Sequence, residues 1–271
     1  MPNYKPKFPN IVDITKVNNS PLPREMDLSN DESRFKTSKK TYGSPLTKYK
    51  GLSNPYIDYQ SIDLLLSLQH PRSKGYDEMC FYIVGQVKEI LYKGLHFELY
   101  NAREQIKENN INNAIIILER AICYVKYIAD TWNILSTIKP EGFNEFRDYL
   151  GTASGQLSFM YRHVEFILGN KSTKMASAHK NVPHVWPEIK KSLETPSLYD
   201  ETIFYLNRLG HKISKKALNR DWTETYKSEN SVKDAWLSIY RKSSSKNSEY
   251  LLAETLISFD EQFSIYRWRH F

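Results

Sequence analysis

The stretch DEMCFYIVGQVKEILYKGLHFELYNAREQIKEN, residues 77–109, decides the fold class. In this stretch Phe81, Val84, Leu91 and Leu95 are separated by three, seven and four positions. Each step is close to one or two turns of a helix, so these apolar residues lie on one side of it. This spacing predicts a long amphipathic helix. No stretch of the chain alternates apolar and polar residues over a useful length, so no β-strand is predicted.

Similar spacing recurs through most of the chain after residue 55. It predicts an all-α fold of long helices packed on one another, as in the long-helix bundles. Residues 169–196 contain Gly169, Asn170 and three prolines, and they predict a long irregular excursion. The further predicted helices are Tyr59–Gln69, Asn113–Ile138, Phe143–Leu168, Ser197–Gly210, Ser231–Arg241 and Glu249–Phe271.

The first 50 residues differ in composition from the rest. They contain ten Lys or Arg against five Asp or Glu, and six of the 12 prolines, with no helical or strand period. We therefore predict an irregular basic tail over residues 1–50 and an all-α domain over residues 51–271. A basic tail can bind nucleic acid or anionic lipid, but no Gly-rich or aromatic-interleaved motif supports this, and a solvated leader is favoured.

Composition and motif content exclude several classes of protein. Only two Cys are present, which excludes a disulfide scaffold or a cysteine-built zinc site and favours a reduced, cytoplasmic protein. No apolar run approaches the length of a membrane span, and the first residues lack the apolar segment of a signal peptide. The sequence contains no HExxH, EF-hand, GxSxG, P-loop or GxGxxG motif.

One cluster combines aromatic and basic residues near the middle of the chain. If residues 143–168 form one helix, Phe143 and Arg147 lie one turn apart on the same face. A guanidinium beside an aromatic ring can bind the carboxylate of an aromatic amino acid through two hydrogen bonds. An internal salt bridge of Arg147 with Asp148 or Glu145 accounts for the same residues, and the residues alone favour it.

A second cluster, Tyr266-Arg267-Trp268-Arg269-His270, ends the last predicted helix. A histidine in this place can be the axial ligand of a haem, with the arginines facing the haem propionates, although a lone helical histidine is more often structural. The Gly-rich stretch Gly151–Gly155 lacks the lysine of a P-loop. The alternative is that these glycines break a helix and let the chain's backbone come close to a flat ligand.

Several motifs follow one another in a fixed order along residues 55–271. They are Tyr56-x-x-Tyr59, Leu64-Leu65-x-Ser67-x-Gln69, Asp77-Glu78-x-x-Phe81, Phe143-x-x-Phe146-Arg147-Asp148, Tyr161-Arg162-x-x-Glu165 and Tyr266-Arg267-x-Arg269-His270. Ordered matching over most of a chain is more specific than any single motif. This order resembles that of the tryptophan 2,3-dioxygenase family.

The resemblance implies an all-α subunit that binds haem b and forms a homotetramer. The implied activity inserts both atoms of O₂ across the indole C2–C3 bond of L-tryptophan and gives N-formylkynurenine, in tryptophan catabolism by the kynurenine pathway. The implied roles are His270 as axial iron ligand, Arg147 on the substrate carboxylate, Phe81 in the indole pocket, Tyr56 and Tyr59 in a neighbouring subunit's pocket, and Arg267, Trp268, Ser154 and Gly155 at the haem.

Three features depart from the family pattern. Gly85 stands where the family has a distal histidine that binds the indole N–H, and Phe143 stands where it has a tyrosine. The sequence ends one residue beyond His270, without the family's Gly-Thr-Gly-Gly-Ser loop, so we expect a domain truncated at its C-terminus. Two alternatives follow: a haem-dependent mono-oxygenase of a tryptophan- or tyrosine-derived substrate in a biosynthetic pathway, or a non-catalytic haem-binding relative.

Overall fold

The computed structural model describes residues 4–13, 29–42, 54–242 and 247–270, and within them it contains helices and no strand. The prediction of an all-α fold is confirmed. The helices are α1 (Asp31–Thr41), α2 (Pro55–Gln60), α3 (Ile62–Leu66), α4 (Tyr76–Lys107), α5 (Ile111–Leu135), α6 (Pro140–Asn144), α7 (Arg147–Leu150), α8 (Phe159–Leu168), α9 (Thr173–Ser177), α10 (Trp186–Glu194), α11 (Leu198–Arg208), α12 (Lys215–Leu218), α13 (Asn230–Lys242) and α14 (Ser248–His270).

Helix α4 confirms the prediction for residues 77–109 to within two residues at each end. Asp77 and Glu78 lie in its first turn, where carboxylates interact favourably with the helix dipole. The Glu78 carboxylate also accepts hydrogen bonds from the backbone N–H groups of Arg72 (2.7 Å) and Ser73 (2.6 Å). These bonds fix the start of α4, and with it the positions of all residues on its faces.

The main core lies where α4, α5 and α14 pack along one another, with α8 and α11 against α4. Leu95 and Leu99 of α4 and Leu118 of α5 are at most 1% exposed. Apolar residues at every third or fourth position of these helices meet in this core, as their spacing predicts. Further buried members are Ile106, Ala114, Ile117, Ala121, Val125, Ile128, Val164, Leu252, Phe259 and Tyr266.

The prediction of one helix from Phe143 to Leu168 is wrong. Helix α6 ends at Asn144, and α7 ends at Leu150. The next residue, Gly151, has a positive φ of 56°, which glycine adopts readily. A short 3₁₀ turn, Gly155–Leu157, follows before α8 starts. The side chain of Ser158 caps α8 by accepting a hydrogen bond from the N–H of Tyr161 at 2.9 Å. Phe143 and Arg147 therefore lie on two different helices.

Three other segments also differ from their sequence-based predictions. Helix α1 lies inside the tail that was predicted to be irregular, and α9 and α10 lie inside the excursion 169–196. The predicted helix Tyr59–Gln69 is replaced by α2 and α3, which meet at Ser61 with a positive φ of 50°. Residues 1–3, 14–28, 43–53, 243–246 and 271 lie outside the described residues.

Residues 4–13 lie against the helices, although a solvated leader was the favoured prediction for the tail. The ammonium of Lys7 forms an ion pair with Glu104 at 2.8 Å, and its backbone N–H donates to the side chain of Asn101 at 2.8 Å. Tyr4 and Ile11 contact the main core. These apolar and charged contacts fix this part of the chain in place.

The chain divides into two compact units, one of residues 18–70 and one of residues 1–17 together with 71–271. The first unit contains α1, α2 and α3, and the second contains the other helices. The predicted boundary at residue 50 stays a prediction. Among the described residues, no helix is both long and apolar enough to cross a membrane.

Candidate functional site

Three phenylalanines meet beside the first turns of α4. The ring of Phe81 lies 5.4 Å from that of Phe146 and 6.3 Å from that of Phe143, and the last two rings are 5.1 Å apart. Phe146 is fully buried, whereas Phe81 and Phe143 are partly exposed. Gly142 allows α6 to approach so closely, because a Cβ there would overlap the carboxylate of Asp77. We call the apolar surface formed by Phe81, Phe143 and Phe146 the phenylalanine wall. The rings of Phe81 and Phe143 are partly open to solvent.

Arg147 follows the buried Phe146 directly and begins α7. Its side chain is exposed, and it forms no hydrogen bond or ion pair with any described residue. The internal salt bridge with Asp148 or Glu145, which the residues alone favoured, is therefore not formed. Next to the phenylalanine wall, the protein presents a guanidinium that is available to an external carboxylate.

One face of α4 continues from the phenylalanine wall towards the middle of the helix. Phe81, Gly85, Lys88 and Tyr92 are spaced by four, three and four residues, which places them along this face. At Gly85 the face is open, because no heavy atom of another described part of the chain lies within 4 Å of the place where a Cβ would be. The glycine thus leaves room in front of the helix.

Lys88 lies one turn beyond Gly85 on the same face. Its Nζ atom is 3.2 Å from the centre of the Trp132 ring of α5, in cation–π geometry. The side chain is half-buried, and burial lowers the pKa of its amine to about 8. No carboxylate among the described residues offsets this desolvation. Sequence reasoning missed both residues, since their contact joins two helices.

Beyond Lys88, a cluster of tyrosine hydroxyls connects α4 with α14. The hydroxyls of Tyr92 and Tyr266 are 2.5 Å apart, and the ring of Tyr161 from α8 lies 5.4 Å from that of Tyr92. Burial raises the pKa of all three phenols, and it also raises the pKa of the nearby Glu89. The cluster holds neutral hydroxyls and anchors the last helix on the face that carries Gly85.

The end of α14 lies beside the C-terminal part of α5. The guanidinium of Arg269 donates to the backbone carbonyl of Ala129 at 3.3 Å and lies 3.2 Å from the carboxylate of Asp130. Arg267 and Trp268 are exposed. The backbone of His270 ends the helix, one turn after Tyr266, and its side chain lies outside the described part of the structure.

The remaining predicted site residues are exposed. Ser154 and Gly155 form an exposed turn before α8, in which the Ser154 side chain accepts from the N–H of Gln156 at 3.3 Å. Tyr56 and Tyr59 belong to α2 in the unit of residues 18–70 and are 63% and 77% exposed. Both rings are therefore available for contact with another molecule.

Comparison with known proteins places this chain in a family. Residues 43–271 match the family model described as Tryptophan 2,3-dioxygenase. The chain belongs to the tryptophan 2,3-dioxygenase family. The Tryptophan 2,3-dioxygenase of Shewanella woodyi is 39% identical over 215 residues, covering 79% of this chain and 75% of that protein. That of Burkholderia mallei is 37% identical over 218 residues, covering 80% of this chain and 71% of that protein.

Membership of the tryptophan 2,3-dioxygenase family confirms the resemblance that the motif order indicated. Among the predicted site residues, Phe81 and Phe143 lie close together in the structure. The buried Phe146, which belongs to a family motif but was assigned no role from the sequence, packs against them. Lys88, Trp132 and Tyr92 were given no role. The only sequence signal for Lys88 and Tyr92 was their spacing from Phe81 on α4.

Proposed function

We propose that this chain is a haem-dependent dioxygenase that opens the indole C2–C3 bond of L-tryptophan with O₂ and gives N-formylkynurenine. The observation that carries the proposal is the match of residues 43–271 to the tryptophan 2,3-dioxygenase family. The phenylalanine wall with Arg147 at its edge supports it, because a substrate with a flat apolar ring and a carboxylate needs both. A cytoplasmic location, predicted from composition, belongs to the same proposal.

The side chains present are compatible with haem b as the cofactor. The described residues contain no group of three or more His, Cys, Asp or Glu suited to hold a metal ion. Haem iron needs no such group, because the porphyrin supplies four of its ligands and one histidine suffices on the protein side. The open face at Gly85 leaves room for a flat group.

We propose that His270 would bind the haem iron and that Arg267, Trp268, Ser154 and Gly155 would contact the porphyrin. When bound, the haem supplies the redox chemistry through which O₂ reacts with the indole. The family resemblance supports each of these roles. A matched pair of variants, His270→Ala and His211→Ala, tests the axial role: only the first is expected to lose the axial-histidine absorption signature.

In this proposal the protein's own residues bind and orient the amino acid. Phe81, Phe143 and Phe146 bind the indole ring by apolar contact, and Arg147 binds the carboxylate through two parallel hydrogen bonds. Tyr56 and Tyr59 close the pocket of a neighbouring subunit in a homotetramer. Because Gly85 has no side chain, no base at this position removes the indole proton.

Turnover measurements test the proposed function. The haem-loaded protein is mixed with L-tryptophan in air, and O₂ uptake and N-formylkynurenine absorbance are recorded together. We expect one O₂ consumed for each tryptophan lost. Retention of haem and of bound tryptophan without any product would contradict the dioxygenase and favour a binding protein. L-tyrosine serves as the comparison substrate.

A further inference from the structure

Among the described residues, Lys88 is a half-buried cation with no carboxylate as its counter-ion, on the face of α4 that carries Phe81 and Gly85. We infer that Lys88 is the anion-binding group of this face. Its ammonium acts on an anionic ligand that occupies the open space in front of Gly85. This inference rests on the proposed function and assigns a role to a residue that the function had not used.

The position of Lys88 separates it from the group that binds the substrate carboxylate. Lys88 lies seven positions after Phe81 on α4, which corresponds to a rise of about 10 Å along the helix axis. Arg147 lies at the Phe81 end of the face, next to Phe146, whose ring contacts Phe81. Two cations therefore lie towards opposite ends of the same face. Arg147 takes the substrate carboxylate, and Lys88 takes an anion beyond the ring.

The reach of Lys88 covers the space at Gly85. Residues three positions apart on a helix have their Cβ positions about 5–6 Å apart, and a lysine side chain spans that distance. Nothing within 4 Å of the Gly85 Cβ position blocks the approach. The Lys88 ammonium, one turn further along α4, can thus donate a hydrogen bond to a ligand in front of Gly85. Gly85 itself has no side chain that could donate one.

The surroundings of Lys88 favour an anion as its missing partner. Half-buried ammonium groups are normally paired, since a cation loses hydration energy that another charge must offset. Among the described residues, the Lys88 ammonium is in close contact with the Trp132 ring, which attracts the cation but carries no net charge. The adjacent carboxylate, Glu89, is hydrogen-bonded to Ser158 instead. The ammonium therefore keeps its affinity for an incoming negative charge.

Fluoride binding to the ferric haem-loaded protein tests this inference, because fluoride is a small anion that is stabilised by a hydrogen-bond donor. The dissociation constant is measured by absorption titration for the wild type, for Lys88→Met and Lys88→Gln, and for Lys93→Met as the control. Lys93 is exposed on another face of α4. We expect fluoride to bind about tenfold or more weakly to both Lys88 variants and unchanged to the control.

The outcomes separate the inference from the proposed function. Equal fluoride affinity in wild type and in either folded Lys88 variant, with haem bound in both, overturns the role of Lys88 and leaves the dioxygenase proposal in place. A wild-type protein that binds no haem overturns the proposed function and this inference with it. Partial recovery of fluoride affinity in Lys88→Arg supports a role for the positive charge.

Discussion

Arg147 directly follows Phe146 of the phenylalanine wall, and its exposed side chain has no ion pair among the described residues. Arg147→Lys keeps the charge but removes the planar pair of donors. We expect L-tryptophan to bind roughly 10- to 100-fold more weakly, the equivalent of about 1.5–3 kcal/mol. Spectral titration of the haem-loaded variant measures this, with Arg241→Lys at the exposed end of α13 as control. Unchanged affinity would assign Arg147 a structural role.

The open surroundings of Gly85 predict how a histidine at this position would affect L-tryptophan binding. Since a Cβ at this position meets no atom of the described residues within 4 Å, we expect the start of the side chain in Gly85→His to be accommodated. A new hydrogen bond to the indole N–H is expected to tighten L-tryptophan binding by about 0.5–1.5 kcal/mol. The same titration measures the change, and Lys93→His on another face controls for the added imidazole.

The opposite result for Gly85→His has a specific meaning. If the variant retains haem but binds no aromatic amino acid, the space at Gly85 is used by the natural ligand itself. The pocket would then suit a differently shaped aromatic substrate, and the mono-oxygenase alternative would replace the tryptophan dioxygenase.

Within helix α4, two glycines differ in what surrounds them. A Cβ at Gly85 meets nothing, whereas a Cβ at Gly94 lies only 2.5–2.9 Å from atoms of the Tyr124 ring. We expect Gly85→Ala to raise the free energy of unfolding by roughly 1 kcal/mol, because alanine favours the helix. Gly94→Ala is expected to lower it, because the Tyr124 ring must shift to make room for the methyl group. Urea unfolding of both variants measures the difference, and a loss of stability in Gly85→Ala would show that the open face is tightly packed.

The contact between α4 and α14 depends on a hydrogen bond between two buried hydroxyls, those of Tyr92 and Tyr266. Either single change to Phe leaves the other hydroxyl without this partner, and we expect a loss of about 1–3 kcal/mol. The double variant removes both polar groups and is expected to be less destabilised than the sum of the singles. Strictly additive losses in urea unfolding would show that the two hydroxyls act independently.

The sequence allowed the prediction of elements whose pattern is local. Helices α4 and α5 followed from apolar spacing over more than twenty residues each. The prediction of one helix over residues 143–168 failed, because Gly151 and the Ser158 cap interrupt an apolar pattern that looks continuous in the sequence. For the site, Phe81 and Arg147 were found through motif order. The contact of Lys88 with Trp132 joins residues 44 positions apart along the chain, which periodicity cannot predict.

For the molecule as a whole, two buried histidines predict how stability depends on pH. His96 and His163 are 4% and 1% exposed, with ring centres 5.2 Å apart. Burial lowers the pKa of both, and that of His163 falls to about 4. Below about pH 6.5 the unfolded chain binds protons that the folded chain does not bind. Stability is therefore lost as pH falls from 6.5 towards 4.

The contribution of His163 to this loss amounts to about 3 kcal/mol across that window. Urea unfolding at pH 7 and pH 4 measures it. His163→Leu is expected to reduce the pH dependence, whereas His70→Leu, at an exposed position, is expected to leave it unchanged. An identical pH dependence in His163→Leu and the wild type would contradict the neutral, buried state of this imidazole.

The fate of the two oxygen atoms of O₂ tests the central claim most directly. The haem-loaded protein is supplied with L-tryptophan and ¹⁸O₂, and the product is analysed by mass spectrometry before exchange with water. Our account predicts N-formylkynurenine that carries both labelled atoms, since a dioxygenase transfers the whole O₂ molecule across the C2–C3 bond. A product that carries one labelled atom and an intact indole ring would contradict it.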